Sequence, residues 1–119
     1  MATYTKIPFN SSTRGKGIQL STSGGSTEIH RTTSTTPYAT DEIWLWLDNY
    51  GASDLMATVY FGDPGYEDSI EQNIRSESGL VLVVSGLILV HASTVEVIQA
   101  FGPNASTTLI AYGYVNRIT

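Results

Sequence analysis

The sequence predicts an all-β fold: a single-domain β-sandwich, jelly-roll-like, with seven or eight strands and a polar N-terminal arm. Three observations predict it. No segment of the 119 residues carries a helical apolar period. Short apolar or alternating runs recur at intervals of roughly 8 to 15 residues, separated by Gly, Pro, Asn and Asp turns. Ser and Thr make up roughly a quarter of the chain while charged residues are only 14%, a balance that suits strands with hydroxyl-rich loops.

Residues 1–25 are polar and rich in Gly, Ser and Thr, with "NSSTRGKG" and "STSGG" flanking a short "IQL". Such composition buries little, so this stretch reads as an arm or a loosely held first strand, and residues 26–119 as the sandwich domain. "STEIHRTT" alternates like a partly exposed edge strand, and "STTPYAT" follows as a loop. "DEIWLWLDN" and "LMATVYFG", joined by about five residues, read as a hairpin-like pair. "DPGYED" is a turn in which Pro64 presets the backbone and Gly65 accepts positive φ, and "SIEQNIRS" is a weaker strand. "GLVLVV" and "GLILV" are continuous apolar runs of the kind found in fully buried segments. "TVEVIQAF" and "TLIAYGYVNRIT" complete the set, with Gly113 marking a bulge or a close approach.

The charge of -5, with six Lys plus Arg, argues against a nucleic-acid partner, which needs a basic stripe. The N-terminus has no apolar signal core, and "GLVLVVSGLILV" is too short and interrupted to span a bilayer, so a soluble chain with no membrane partner is expected. The absence of cysteine removes disulfides and thiolate chemistry.

Candidate catalysts are few. His30 and His91 are the only histidines, and neither lies in a ligand-forming spacing. His30 reads as a solvent-facing or interface residue and His91 as one leaving the core for a loop. Asp63, Glu67 and Asp68 could form a weak calcium site, but a solvated turn is the simpler reading. A carboxylate pair drawn from Asp41, Glu42 and Asp48 has no spacing to support it. No cofactor, metal site or enzymatic role is expected.

The alternation of strand side chains raises a different point. In "DEIWLWLDN" Ile43, Leu45 and Leu47 share one face while Trp44 and Trp46 share the other. Met56 and Tyr60, and then Ile110, Tyr112, Tyr114 and Ile118, repeat the two-sided pattern. A monomeric sandwich would expose a large aromatic patch, so another copy or another protein is expected to cover it. Aromatics on a sheet also stack on sugars, which makes carbohydrate binding the competing reading; a sugar platform leaves its rings exposed beside polar groups.

The succession "STEIHRTTS", "DEIWLWLDNYG", "LMATVYFGD", "SGLVLVVSGLILV" and "YGYVNRIT" resembles small virion structural proteins of tailed bacteriophages, of the capsid decoration or cement type. The resemblance covers residues 26–119. It implies a non-enzymatic β-sandwich made in the host cytoplasm, which oligomerises, often as a trimer, and binds the major capsid protein on the virion surface. A tail- or fibre-associated domain is the alternative within the same resemblance. On this reading Trp44, Trp46, Tyr60 and Tyr112 form the oligomer interface. Lys6, Arg14 and Lys16, half of the six basic residues, form the capsid contact on an arm that orders on its neighbour.

Overall fold

The computed structural model describes residues 2–20, 26–33, 39–63, 69–103 and 108–119. Nine strands run through them: β1 (Tyr4–Ile7), β2 (Ile18–Gln19), β3 (Thr27–Arg31), β4 (Thr40–Asn49), β5 (Leu55–Gly62), β6 (Ser69–Ile74), β7 (Val81–Val90), β8 (Val97–Phe101) and β9 (Leu109–Ile118). The described residues contain no helix. The first sheet has the order β1-β9-β4-β7, with β2 also on β9, and the second has the order β3-β8-β5-β6.

All pairings are antiparallel, and from β2 onward they nest: β5 with β6, β4 with β7, β3 with β8, β2 with β9. A chain paired in this way is one long hairpin, closed between β5 and β6, rolled so that successive pairs fall in opposite sheets. That is the jelly-roll wrapping, and the fold is the expected all-β sandwich.

β4 explains how the layers hold together. Its side chains alternate without a break, with Asp41, Ile43, Leu45, Leu47 and Asn49 buried and the residues between them half-buried. The three aliphatic side chains meet Ala57, Val59, Ile74, Val84, Ile98 and Val115 in one core. Each such burial contributes about 1.5–3 kcal/mol relative to exposure.

A polar residue closes each end of this buried row. At one end, Asn49 Nδ2 donates to the carbonyls of Ser53 (2.7 Å) and Ile74 (3.0 Å), and its Oδ1 accepts from Gly51 N (3.0 Å) and Thr108 Oγ1 (2.8 Å). These bonds satisfy the amide and tie the first sheet to β6 of the second. Asp41 closes the other end.

Three sequence expectations change. β4 and β5 do not form a hairpin: β4 pairs with β7 and β9, β5 with β6 and β8, and residues 50–54 arch from one sheet to the other. A five-residue link with turn residues serves either purpose, and nothing local separates the two. The apolar runs around Ser85 and Gly86 are not two fully buried segments. They form one strand, β7, at the rim of its sheet, with Leu82, Leu87, Ile88 and Val90 exposed. His30, expected at the surface or an interface, is buried, because a bulge between Glu28 and His30 turns its side chain inward.

The N-terminal stretch contributes β1 and β2, both on β9, and places Phe9, Ile18 and Leu20 in the core. Gly113 makes part of this possible. Its φ is +152°, and a Cβ there would overlap the carbonyl oxygen of Trp44 and come within 2.9 Å of the Phe9 ring. The glycine is the close approach that the sequence marked, and Phe9 fills the space it leaves. The turns at 64–68 and 104–107, and the Pro37 loop, lie outside the described residues, as do Glu67 and Asp68 of the considered calcium site.

Candidate functional site

Two groupings of chemistry-bearing residues converge in the fold, one on each face of β4. The inward one is centred on Asp41, which is fully buried. Arg117, its register partner on β9, donates from Nε to Oδ1 (2.8 Å) and from the guanidinium tip to Oδ2 (3.0 Å). His30 from β3 of the opposite sheet donates from Nε2 to Oδ2 at 2.8 Å, and its Nδ1 accepts the Asn10 N–H at 3.1 Å. That pair of bonds sets the tautomer with the proton on Nε2. His91, just past β7, places Nε2 2.9 Å from the same oxygen, at an angle poorer than that of a formed hydrogen bond. The Thr33 N–H reaches His91 Nδ1 at 3.1 Å.

Burial alone would raise the Asp41 pKa. The bonds from Arg117 and His30, the His91 contact and the Arg117 charge outweigh it and hold the carboxyl well below the usual carboxylate range. Asp41 in turn raises Arg117. The arrangement has acid–base residue types but little freedom to use them. Both imidazoles face one carboxylate with Nε2 and a backbone N–H with Nδ1, and both are nearly inaccessible. Its chemical capacity is to fasten: it joins β3, β4 and β9 to the segments around residues 10, 33 and 91. Among the described residues, no group of three or more His, Cys, Asp or Glu side chains is disposed to hold a metal ion.

The outward grouping is an aromatic and aliphatic surface on the first sheet. Register places its residues in rows across the strands: Tyr4, Ile118, Thr40, Val90; then Lys6, Asn116, Glu42, Ile88; then Tyr114, Trp44, Ser85; then Tyr112, Trp46, Leu82. In the middle rows the ring centroids of Trp44 and Trp46 are 6.4 Å apart, those of Trp44 and Tyr114 6.3 Å, and those of Trp46 and Tyr114 6.1 Å. These are ordinary separations for interacting rings.

Two of the charges on this face are engaged with the cluster. Lys6 Nζ lies over the Tyr114 ring, 4.6 Å from its centroid, and Glu42 accepts the Trp44 indole N–H at 2.7 Å. Gly86 belongs to the same construction. Its φ is +82°, and a Cβ there would press to 3.2 Å on the Trp44 ring, so the glycine lets the indole lie close over β7.

The predicted interface residues fall in two places. Trp44, Trp46 and Tyr112 are together on this face. Tyr60 is on the outer side of the opposite sheet, packed on Phe101 with centroids 5.4 Å apart, so one flat seam does not contain all four. Of the basic residues, Lys6 is on the aromatic face itself. Arg14 and Lys16 are exposed in the tight loop between β1 and β2, where Ser12 Oγ bonds the Lys16 carbonyl at 2.7 Å. Gly17, next in the chain, sits against Ile110 and Tyr112, which brings this loop to the border of the same face.

The sequence placed Tyr114 on the second greasy face without naming it among the interface residues, and gave Leu82, Ile88 and Val90 no place there. Tyr114 carried a signal, being two residues from Tyr112 on one strand. The β7 residues did not, because their face depends on bulges at Val83 and Gly86. Comparison with family models, with curated proteins and with solved structures finds no match to this chain.

Proposed function

We propose that this chain is a non-enzymatic structural subunit of a phage virion, of the capsid decoration or cement type. It acts by assembly, and the outer face of the first sheet is its working surface. The observation that carries the reading is that face: an aromatic and aliphatic surface on a sheet whose other side already fills the core. Such a patch on a small domain marks a surface that another molecule covers.

In this reading Trp44, Trp46 and Tyr112, joined by Tyr114, close a cyclic homo-oligomer, with a trimer expected. Lys6, Arg14 and Lys16 border the seam and meet the major capsid protein on the virion surface. Each attached subunit stabilises the lattice state it binds. The inward His–Asp–Arg cluster supports a non-enzymatic role, since both imidazoles lie against one carboxylate and are closed to solvent. The jelly roll itself serves capsid and lectin domains alike, so the architecture does not choose between them.

One observation favours a second reading. Trp44, Trp46 and Tyr114 are only half-buried and stand beside Glu42, Lys6 and Asn116, the mixture of rings and polar groups that a sugar ring requires. A carbohydrate-binding module, or a tail- or fibre-associated domain, would use the same face. Trp44→Ala separates them. The structural reading expects loss of the oligomer or of co-sedimentation with capsids, and no glycan binding by the wild type. Glycan binding that Trp44→Ala abolishes while the mass in solution stays constant would overturn it.

A further inference from the structure

The two sheets expose four rims, and three are charged along their own strands. β1 carries Lys6, β3 carries Glu28 and Arg31 paired with each other, and β6 carries Glu71. Charge on a rim discourages strand addition between molecules. β7 has no charge and no proline in its ten residues, VLVVSGLILV, and β4 is its one strand neighbour. Its bulges at Val83 and Gly86 break the middle of the strand, where an incoming strand would find donors and acceptors out of step. Leu87–Val90 is the stretch left regular: its register with β4 runs unbroken from Leu87 opposite Ile43 to Val90 opposite Thr40. It is also apolar and open, with Leu87 47%, Ile88 55% and Val90 45% exposed. By its own residues, this is where open-ended strand addition would start.

We infer that Glu96 guards this stretch by an autoinhibitory contact: its carboxylate occupies the rim-facing Val90 N–H that an added strand would need, and so keeps β7 unpaired. The direction of that N–H follows from its neighbour. The His91 N–H bonds the Ala39 carbonyl on the β4 side at 2.9 Å, and successive amides of a strand point to opposite edges, so the Val90 N–H points off the rim. Glu96 Oε1 accepts it at 2.9 Å.

The fold, and not β7, holds the guard in place. Glu96 is tied at both backbone groups to the buried Thr32: its N–H donates to Thr32 Oγ1 at 2.8 Å, and its carbonyl accepts the Thr32 N–H at 2.9 Å. Thr32 follows β3 and Glu96 precedes β8, so the carboxylate reaches from the end of the second sheet to the rim of the first. The bulges spoil one part of β7 and Glu96 closes the part they leave. The aromatic surface lies on the face of the sheet and not on its rim, so the guard stands whether or not that face forms a seam. Its effect is to deny the chain an open-ended mode of association.

Glu96→Ala removes the guard and leaves its backbone bonds to Thr32. Hydrogen exchange at the Val90 amide should quicken several-fold in Glu96→Ala and stay near the wild-type rate in Glu96→Gln, whose amide oxygen still accepts. In concentrated solution, light scattering from Glu96→Ala should grow several-fold faster than from the wild type or Glu96→Gln. Leu87→Lys added to Glu96→Ala should return that growth to the wild-type rate, which assigns the association to β7 and not to a misfolded chain. Growth in Glu96→Ala no faster than in the wild type, equal growth in Glu96→Gln, or growth that Leu87→Lys does not slow would overturn the guard.

Discussion

The first sheet is built on three ten-residue strands and the second on strands of five to eight residues, and their outer faces have different chemistry. On the second sheet, Glu28, Glu71, Asn73, Gln99 and Thr58 surround a small group of Met56, Tyr60 and Phe101. On the first, the rows from Tyr4 to Leu82 are mostly aromatic or aliphatic, and Lys6 and Glu42 are engaged with the rings. The second is an ordinary half-wetted sandwich surface. The difference teaches that the apolar content of the first face serves something beyond folding, because the fold it shares with the second needs only one greasy face per sheet.

The largest expected effects remove both faces at once by loosening the layer between them. Gly113→Ala should cost about 5 kcal/mol, since the new methyl strikes the Trp44 carbonyl and the Phe9 ring and the backbone is in a region that side chains disfavour. Urea unfolding would measure it as a large drop in midpoint. Asp41→Ala should cost about 3–5 kcal/mol, because it leaves Arg117 and two imidazoles around an empty position.

The same carboxylate gives a pH signature. The Asp41 pKa lies below its unfolded value of 3.8, so its contribution is fully present above that value and is lost as pH falls toward the folded pKa. Stability of the wild type should fall on acidification below about pH 5. The curve for Asp41→Asn should be flatter, and unfolding midpoints across that range would test it.

Smaller effects separate the faces. Trp44→Ala should cost only about 1–2 kcal/mol of folding stability, as the indole is half-buried, yet it should lower the sedimenting mass. Thr58→Lys, its counterpart on the second sheet, should change stability by within about 0.5 kcal/mol and leave the mass unaltered. If Thr58→Lys disrupts assembly as strongly as Trp44→Ala, the contrast between the faces is not functional.

Much of this was legible in the sequence, for reasons that are local. Alternation put Ile43, Leu45 and Leu47 on one face of a strand and Trp44 and Trp46 on the other, though not which of the two faces is the core, and Gly113 stood out as a glycine inside an aromatic strand. What failed was long-range. The link at residues 50–54 looks like a hairpin turn but changes sheets, and only the pairing of distant strands distinguishes the two. β7 looked buried because apolar runs do not report whether a strand is central or at a rim. Asp41, His30, His91 and Arg117 are scattered along the chain and meet only because the jelly-roll wrapping brings β3, β9 and the end of β7 around one end of β4. Tyr60 and Trp46 looked equivalent as aromatics on neighbouring strands, and the same wrapping sends them to opposite sides.

The central claim is that the outer face of the first sheet is covered in the working protein, and the chain contains its own reporter. Both of its tryptophans, Trp44 and Trp46, lie on that face. Tryptophan emission should be followed over a dilution series in parallel with sedimentation. Emission should shift to the red as the mass falls from oligomer to monomer, because dilution opens the seam to water. Emission that does not change while the chain sediments as a monomer throughout the series would contradict it.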